Sequence, residues 1–189
     1  MSAIYKRDLR AYFSSPLGFV FVAAFLIVIN IYFYIACVFS ASSQVETVFQ
    51  FMTYVMIFVI PILTMRSYSE DYKQKTDQLL LTSPVHLSGI VMGKFLAALT
   101  VFFIPLAFTL IYVVVVATFG HPNGYAIVGN YVAIIAVACT YISIGCFISS
   151  LTQNQLVACV ASLAAFIAMY LFDYVYQLAN SALVKNFVY

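Results

Sequence analysis

Charge is what this sequence has least of. Asp, Glu, Lys and Arg make up 7% of its 189 residues, where a soluble domain carries about a quarter. So few charges cannot cover a water-facing surface, which excludes a soluble enzyme. An apolar content of 65% excludes a disordered chain. A net charge of +2 leaves no basic face to track phosphates, so no nucleic-acid partner is expected. Tryptophan is absent, so tyrosine must supply any interfacial aromatic belt. Cysteine is scarce: Cys37, Cys139, Cys146 and Cys159 lie in apolar runs with no CxxC and no metal spacing. Cys139 and Cys146, two turns apart on one helical face, read as small packing residues. No GxxxxGK[ST] phosphate loop occurs, so this chain should not hydrolyse ATP itself.

What is present in quantity is long apolar runs. A helix needs about 20 apolar residues to cross a bilayer. Five stretches qualify: 17–39, 48–65, 95–119, 126–148 and 156–172. The fold class is therefore an all-α integral membrane protein with five transmembrane helices, a single transmembrane domain over 1–189. The breaks are polar or turn-forming: Ser40 to Gln44, His121-Pro122-Asn123-Gly124, and Thr152-Gln153-Asn154-Gln155. The first run exceeds the apolar core of about 7–15 residues found in a cleaved leader, and reads as an uncleaved anchor. Pro61 and Pro105 should kink the second and third spans.

Orientation follows from the basic residues. Lys6, Arg7, Arg10, Arg66, Lys73, Lys75 and Lys94 all fall on one side if the spans alternate, leaving Lys185 on the other. The N-terminus and the 66–94 loop are expected in the cytoplasm. The loops at 40–47 and 120–125 and the segment 173–189 are expected outside. Tyr125 and Tyr131, and Tyr170, Tyr174 and Tyr176, flank the outer boundaries. Residues 2–13 are too short and too charged to span. Ile4, Tyr5, Leu9, Tyr12 and Phe13 make a helical stripe opposite Lys6, Arg7 and Arg10, the pattern of an amphipathic helix lying in the inner interface.

No span carries Asp, Glu, Lys, Arg or His, the usual marks of proton relays and buried catalysis. Ser143 and Ser149 have no base on any span. Asn30, Gln50 and Tyr32 are the polar groups that invite a transport-path reading. Asn30 is expected to hydrogen-bond between helices. Any uphill movement would draw its energy from outside the membrane.

The 66–94 loop, RSYSEDYKQKTDQLLLTSPVHLSGIVMGK, holds most of the chemistry. Ser67 and Glu70 match a capping box, so a helix starts or continues there. Glu70–Lys73 and Asp71–Lys75 have helical pair spacing, which predicts a solvated stalk. Thr76 can cap a second short helix, with Asp77 at its N-terminus, and Thr82-Ser83-Pro84 stops it. Leu79, Leu80 and Leu81 on that helix need burial, each worth roughly 1.5–3 kcal/mol. They can pack on the helix ends of the chain, dip into the bilayer interface, or dock into another protein.

These runs resemble a known family. SEDYKQKTDQLLLTSP followed by GIVMGKFLAAL looks like the loop between helices two and three of type-2 ABC exporter permeases. KRDLRAYFSSPLGFVF is similar to the N-terminal helix and first span of the gliding-motility-like branch, and SSLTQNQLVA at 149–158 to the inner turn between helices four and five. The resemblance covers nearly the whole chain, in order. It implies a permease subunit of an ATP-driven ABC exporter in a bacterial inner membrane. A separate cytoplasmic ABC ATPase would bind ATP and Mg, with no cofactor in this chain. It also implies a second permease chain as homo- or heterodimer partner, within the lipid bilayer. The ATPase-coupling residues would be Glu70, Asp71, Thr76, Asp77, Leu79, Leu80, Leu81 and Pro84, with Thr152, Asn154 and Gln155 at a second cytoplasmic turn. Two departures stand out. Lys75 occupies a position where the family commonly has glycine, and the family usually has six spans where this chain has five. The segment 173–189 would match the outer connection before a sixth. A membrane anchor or scaffold that transports nothing is the alternative function, and an ion-coupled transporter is disfavoured by the uncharged spans.

Overall fold

A computed structural model describes residues 2–40, 45–73, 87–119 and 124–188. Everything regular among them is helical. The elements are α1 (Ser2–Ser14), α2 (Pro16–Phe33) extended by a π-helical stretch (Tyr34–Phe39), α3 (Glu46–Lys73), α4 (Leu87–Phe108), α5 (Leu110–Phe119), α6 (Gly124–Leu151) and α7 (Gln155–Val188). Five spans are long and apolar enough to cross a membrane: Gly18–Phe39, Glu46–Ser69, Ser88–Thr118, Gly124–Leu151 and Gln155–Phe172. They match the five sequence runs and extend most of them by a few residues. The last helix continues unbroken through 173–188.

Local sequence explains the breaks. Ser15 adopts an extended N-cap conformation and Pro16 opens α2, where its missing N–H costs nothing. Gly18 is required there, because a Cβ would lie 2.6 Å from the Tyr12 carbonyl oxygen. In α3, Pro61 removes one backbone donor, and Thr64 donates its hydroxyl to the Ile60 carbonyl at 3.1 Å. Pro105 acts more strongly. One turn after it the helix breaks at Thr109, so the third span is two helices, α4 and α5. Thr109 closes the break by donating to the Leu106 carbonyl at 2.6 Å and accepting from the Tyr131 hydroxyl at 3.0 Å.

The central helix is α3. It packs on α6, α7 and α2, and Met52, Met56, Ile60 and Leu63 on it are fully buried. α2 presents a stripe at every fourth position, Phe21, Phe25, Ile29, Phe33 and Cys37, to this core. Rings interlock along it, with Phe25 against Phe102 at 6.0 Å and Phe33 stacked on Tyr112 at 4.5 Å. α3 and α6 approach closely where Gly145 faces Thr64. A Cβ there would sit 2.9 Å from the Thr64 Cβ, the small-residue contact that lets membrane helices touch.

α1 is a helix, as its stripe predicts, but the stripe faces protein. Ile4 and Tyr12 are buried, and α1 packs along α4 and α2. Tyr5 hydrogen-bonds Thr100 at 3.1 Å and Tyr12 donates to the Leu63 carbonyl at 3.0 Å. Burial pushes the Tyr12 phenol far above the usual tyrosine range, which keeps it a donor.

Candidate functional site

The chain enters and leaves residues 74–86 through Lys73 at the end of α3 and Leu87 at the start of α4. The side chains at this end of the bundle form one charged cluster. Lys94, on α4, lies within hydrogen-bond reach of three acceptors from two other helices. Its Nζ is 2.5 Å from Asp71 Oδ2, 3.4 Å from Asp8 Oδ2 and 2.5 Å from the Ser67 carbonyl. The ammonium also sits 4.8 Å from the centre of the Tyr68 ring, a cation–π distance. Arg7, on α1, closes the cluster, 2.8 Å from Asp8 and 3.3 Å from Asp71. Two cations and two anions thus alternate across α1, α3 and α4.

Burial makes this arrangement consequential. The Lys94 side chain is 3% exposed, Asp8 13% and Asp71 18%. An isolated ammonium at that depth would be strongly disfavoured, and two carboxylates plus a carbonyl supply the compensation. For Arg7, burial alone would lower the guanidinium pKa, but Asp8 and Asp71 outweigh it and the net displacement is upward. The guanidinium is charged at every accessible pH.

The second span does extend as a helix, since α3 runs on to Lys73. The solvated character expected of it is corrected at Asp71, which turns inward to Lys94 and Arg7. Its expected helical partner Lys75 lies outside the described residues. At Ser67 the helix continues, one of the two outcomes its spacing with Glu70 allows, and the Ser67 carbonyl accepts from Lys94. Glu70 lies on the last turns of α3. The other proposed coupling residues, Thr76, Asp77, Leu79, Leu80, Leu81 and Pro84, lie outside the described residues, as does Lys75.

The second turn adjoins the same cluster. Ser149, fully buried near the end of α6, donates to the Met65 carbonyl at 3.2 Å and accepts from the Tyr68 and Ser69 amides at 3.2 and 3.4 Å. Cys146 packs 3.9 Å from the Ser67 hydroxyl. Beyond Leu151, Asn154 caps α7, its Oδ1 accepting from the Leu156 amide at 3.0 Å. Gln155 is the first residue of α7 and half-buried. The Thr152 hydroxyl is buried with no partner among the described residues. Arg66 donates to Ser15, tying the α1–α2 turn to the same level of α3. α1, both flanks of 74–86 and the α6–α7 turn therefore share one end of the bundle, as the basic-residue count requires of a single side.

The polar residues within the spans are placed differently from the sequence reading. Asn30 donates to the Leu26 carbonyl of its own helix at 2.8 Å and is exposed, so it bridges no helices. Tyr32 stacks on Phe51 with ring centroids 3.9 Å apart. Gln50 lines a groove of about 350 Å³ between α3 and α6, opposite Asn130. Lys94 and Asn130 were missed as site residues. The signal for Lys94 was its place seven residues into an amphipathic-to-apolar helix. For Asn130 it was a carboxamide inside an apolar run.

A family model described as an ABC-2 family transporter protein matches residues 2–187. No curated protein and no solved structure matches the chain.

Proposed function

The chain belongs to the ABC-2 transporter family, so it is a permease component of an ABC transporter, and we propose that it is the exporter half through which a separate cytoplasmic ATPase drives substrate movement. Residues 76–82 dock in that ATPase, and nucleotide-driven closure pushes them. The resemblance of the N-terminal run KRDLRAYFSSPLGFVF to the gliding-motility-like branch is what supports assigning the chain to it. Two permease chains, alike or different, enclose the substrate route, in a bacterial inner membrane with the N-terminus in the cytoplasm.

The observation that supports this reading is the Arg7–Asp8–Asp71–Lys94 cluster. Asp71 and Lys94 lie on the two helices that flank 74–86, and Asp8 and Arg7 join them to α1. A push on 74–86 is therefore transmitted to three helices as a unit, rather than being absorbed by bending of one. Buried, mutually neutralised charges resist being pulled apart, which is the stiffness a transmission point needs.

Co-purification in mild detergent with mass spectrometry tests the docking. A stoichiometric Walker-motif ATPase should accompany the chain, and Leu79→Asp with Leu80→Asp should release it while leaving membrane insertion intact. Normal assembly of that double variant would sink the assignment. Assembly without substrate-stimulated ATP hydrolysis would favour the anchor or scaffold function instead.

A further inference from the structure

At the end of the bundle opposite the ion cluster, α3 and α6 line a groove of about 350 Å³. Its floor is apolar, with Phe49 and Ile134 buried and Ala133 and Val137 above them. Its polar residues are ordered. Glu46, Gln50 and Thr53 recur at helical spacing down one face of α3 over about 10 Å, and Asn130 answers from α6. Thr53 satisfies itself on the Phe49 carbonyl at 3.3 Å. The Glu46 carboxylate and the Gln50 and Asn130 carboxamides have no hydrogen-bond or ionic partner among the described residues. Glu46 lies in the first turn of a membrane span, and the two amides lie deeper.

Polar side chains inside a membrane span are rare and mark functional positions; Gln50 and Asn130 lie within spans, and the exposed Glu46 stands at the mouth of the groove. A carboxylate in this position asks for a cation. Two carboxamides below it ask for a group that both donates and accepts, and the apolar floor asks for a ligand that stays in the bilayer. The volume holds a headgroup and leaves an acyl chain outside, along the exposed flank of α3. We propose that this groove binds the ammonium-bearing headgroup of a lipid, with Glu46 as counter-ion and Gln50 and Asn130 on the headgroup oxygens. The proposal rests on the permease reading and deepens it by naming the class of ligand that meets the chain at this end.

The test is native mass spectrometry of the full chain, delipidated in detergent and titrated with short-chain phosphatidylethanolamine. Phosphatidylglycerol and free ethanolamine serve as controls. One phosphatidylethanolamine should bind per chain, at least tenfold tighter than either control. Glu46→Gln and Asn130→Ala should each weaken it tenfold or more. Glu46 and Gln50 are exposed, so Glu46→Gln and Gln50→Leu should leave the thermal midpoint unchanged, separating lost binding from lost folding. Equal binding of both lipids, binding unmoved by Glu46→Gln, or free ethanolamine binding as well as the lipid would overturn the site. So would variants that change self-association and not lipid binding, because the groove would then be a chain–chain surface. The two readings fail separately. Glu46-dependent lipid binding without an attached ATPase removes the permease mechanism and keeps the site, and the converse removes only the site.

Discussion

Lys94 shows how one residue changes meaning between sequence and fold. In the sequence it is one of seven basic residues that fall on one side if the spans alternate. In the fold it is the most buried charge of a four-membered cluster. We expect Lys94→Met to cost about 3 kcal/mol, the low end for removing one partner from a buried ion pair, because Asp8 and Asp71 keep some contact with solvent. Thermal unfolding in detergent measures it. Asp71→Asn should destabilise too, and the double variant should fall well short of the sum. Additive losses would mean that the two side chains do not share one interaction. Asn30 and Asn130 carry the complementary lesson. Both are carboxamides in apolar runs, and periodicity cannot tell them apart. Asn30 back-bonds to Leu26 on an exposed face, whereas Asn130 lines a groove. The difference is which neighbour stands opposite, and that information is not local.

Helices were readable because apolar length and turn chemistry are local properties. The five spans and the α1 stripe follow from residues within a few positions of one another. What happens at a proline inside a span is less local. Pro61 leaves α3 continuous, while Pro105 is followed by a break at Thr109 that Tyr131 of α6 completes. Restoring the missing donor with Pro105→Ala should favour one continuous helix and swing α5 away from its contact with α2. Phe33 and Tyr112, now stacked at 4.5 Å, report on this. Cysteines at both positions should cross-link efficiently in the otherwise unchanged chain, and several-fold less in the Pro105→Ala background. An undiminished yield would show that packing on α2, and not the proline, sets the break. The inward-facing stripe of α1 lies at this scale as well. An amphipathic pattern specifies that one face is buried, and the choice between lipid and α4 is made by what the rest of the chain presents.

For the whole molecule, the basic residues do two separable jobs. Lys6 and Arg10 are exposed on α1, whereas Arg7 is bound to Asp8 and Asp71. Orientation depends on charge near the membrane, and stability depends on pairing. Lys6→Glu with Arg10→Glu should therefore lower the fraction of chains with the N-terminus on the cytoplasmic side proposed above and barely move the unfolding midpoint. Arg7→Gln should lower the midpoint and barely change orientation. Impermeant thiol labelling of cysteines placed at Ser2 and Asn123 reads the first, and loss of the distinction would merge the two roles. The multi-pass helical class, the number of spans, the clustering of basic residues on one side and membership of a transporter family were all legible in the sequence. Each depends on composition, on short-range periodicity or on motifs in order. The tertiary structure alone decided that α1 packs on protein, that Asp71 and Lys94 meet across two helices with Asp8 and Arg7, and that Glu46, Gln50 and Asn130 share a groove. These depend on contacts between residues tens of positions apart, whose energies are set by burial and by the partner across the interface, and neither is written in the residues on either side.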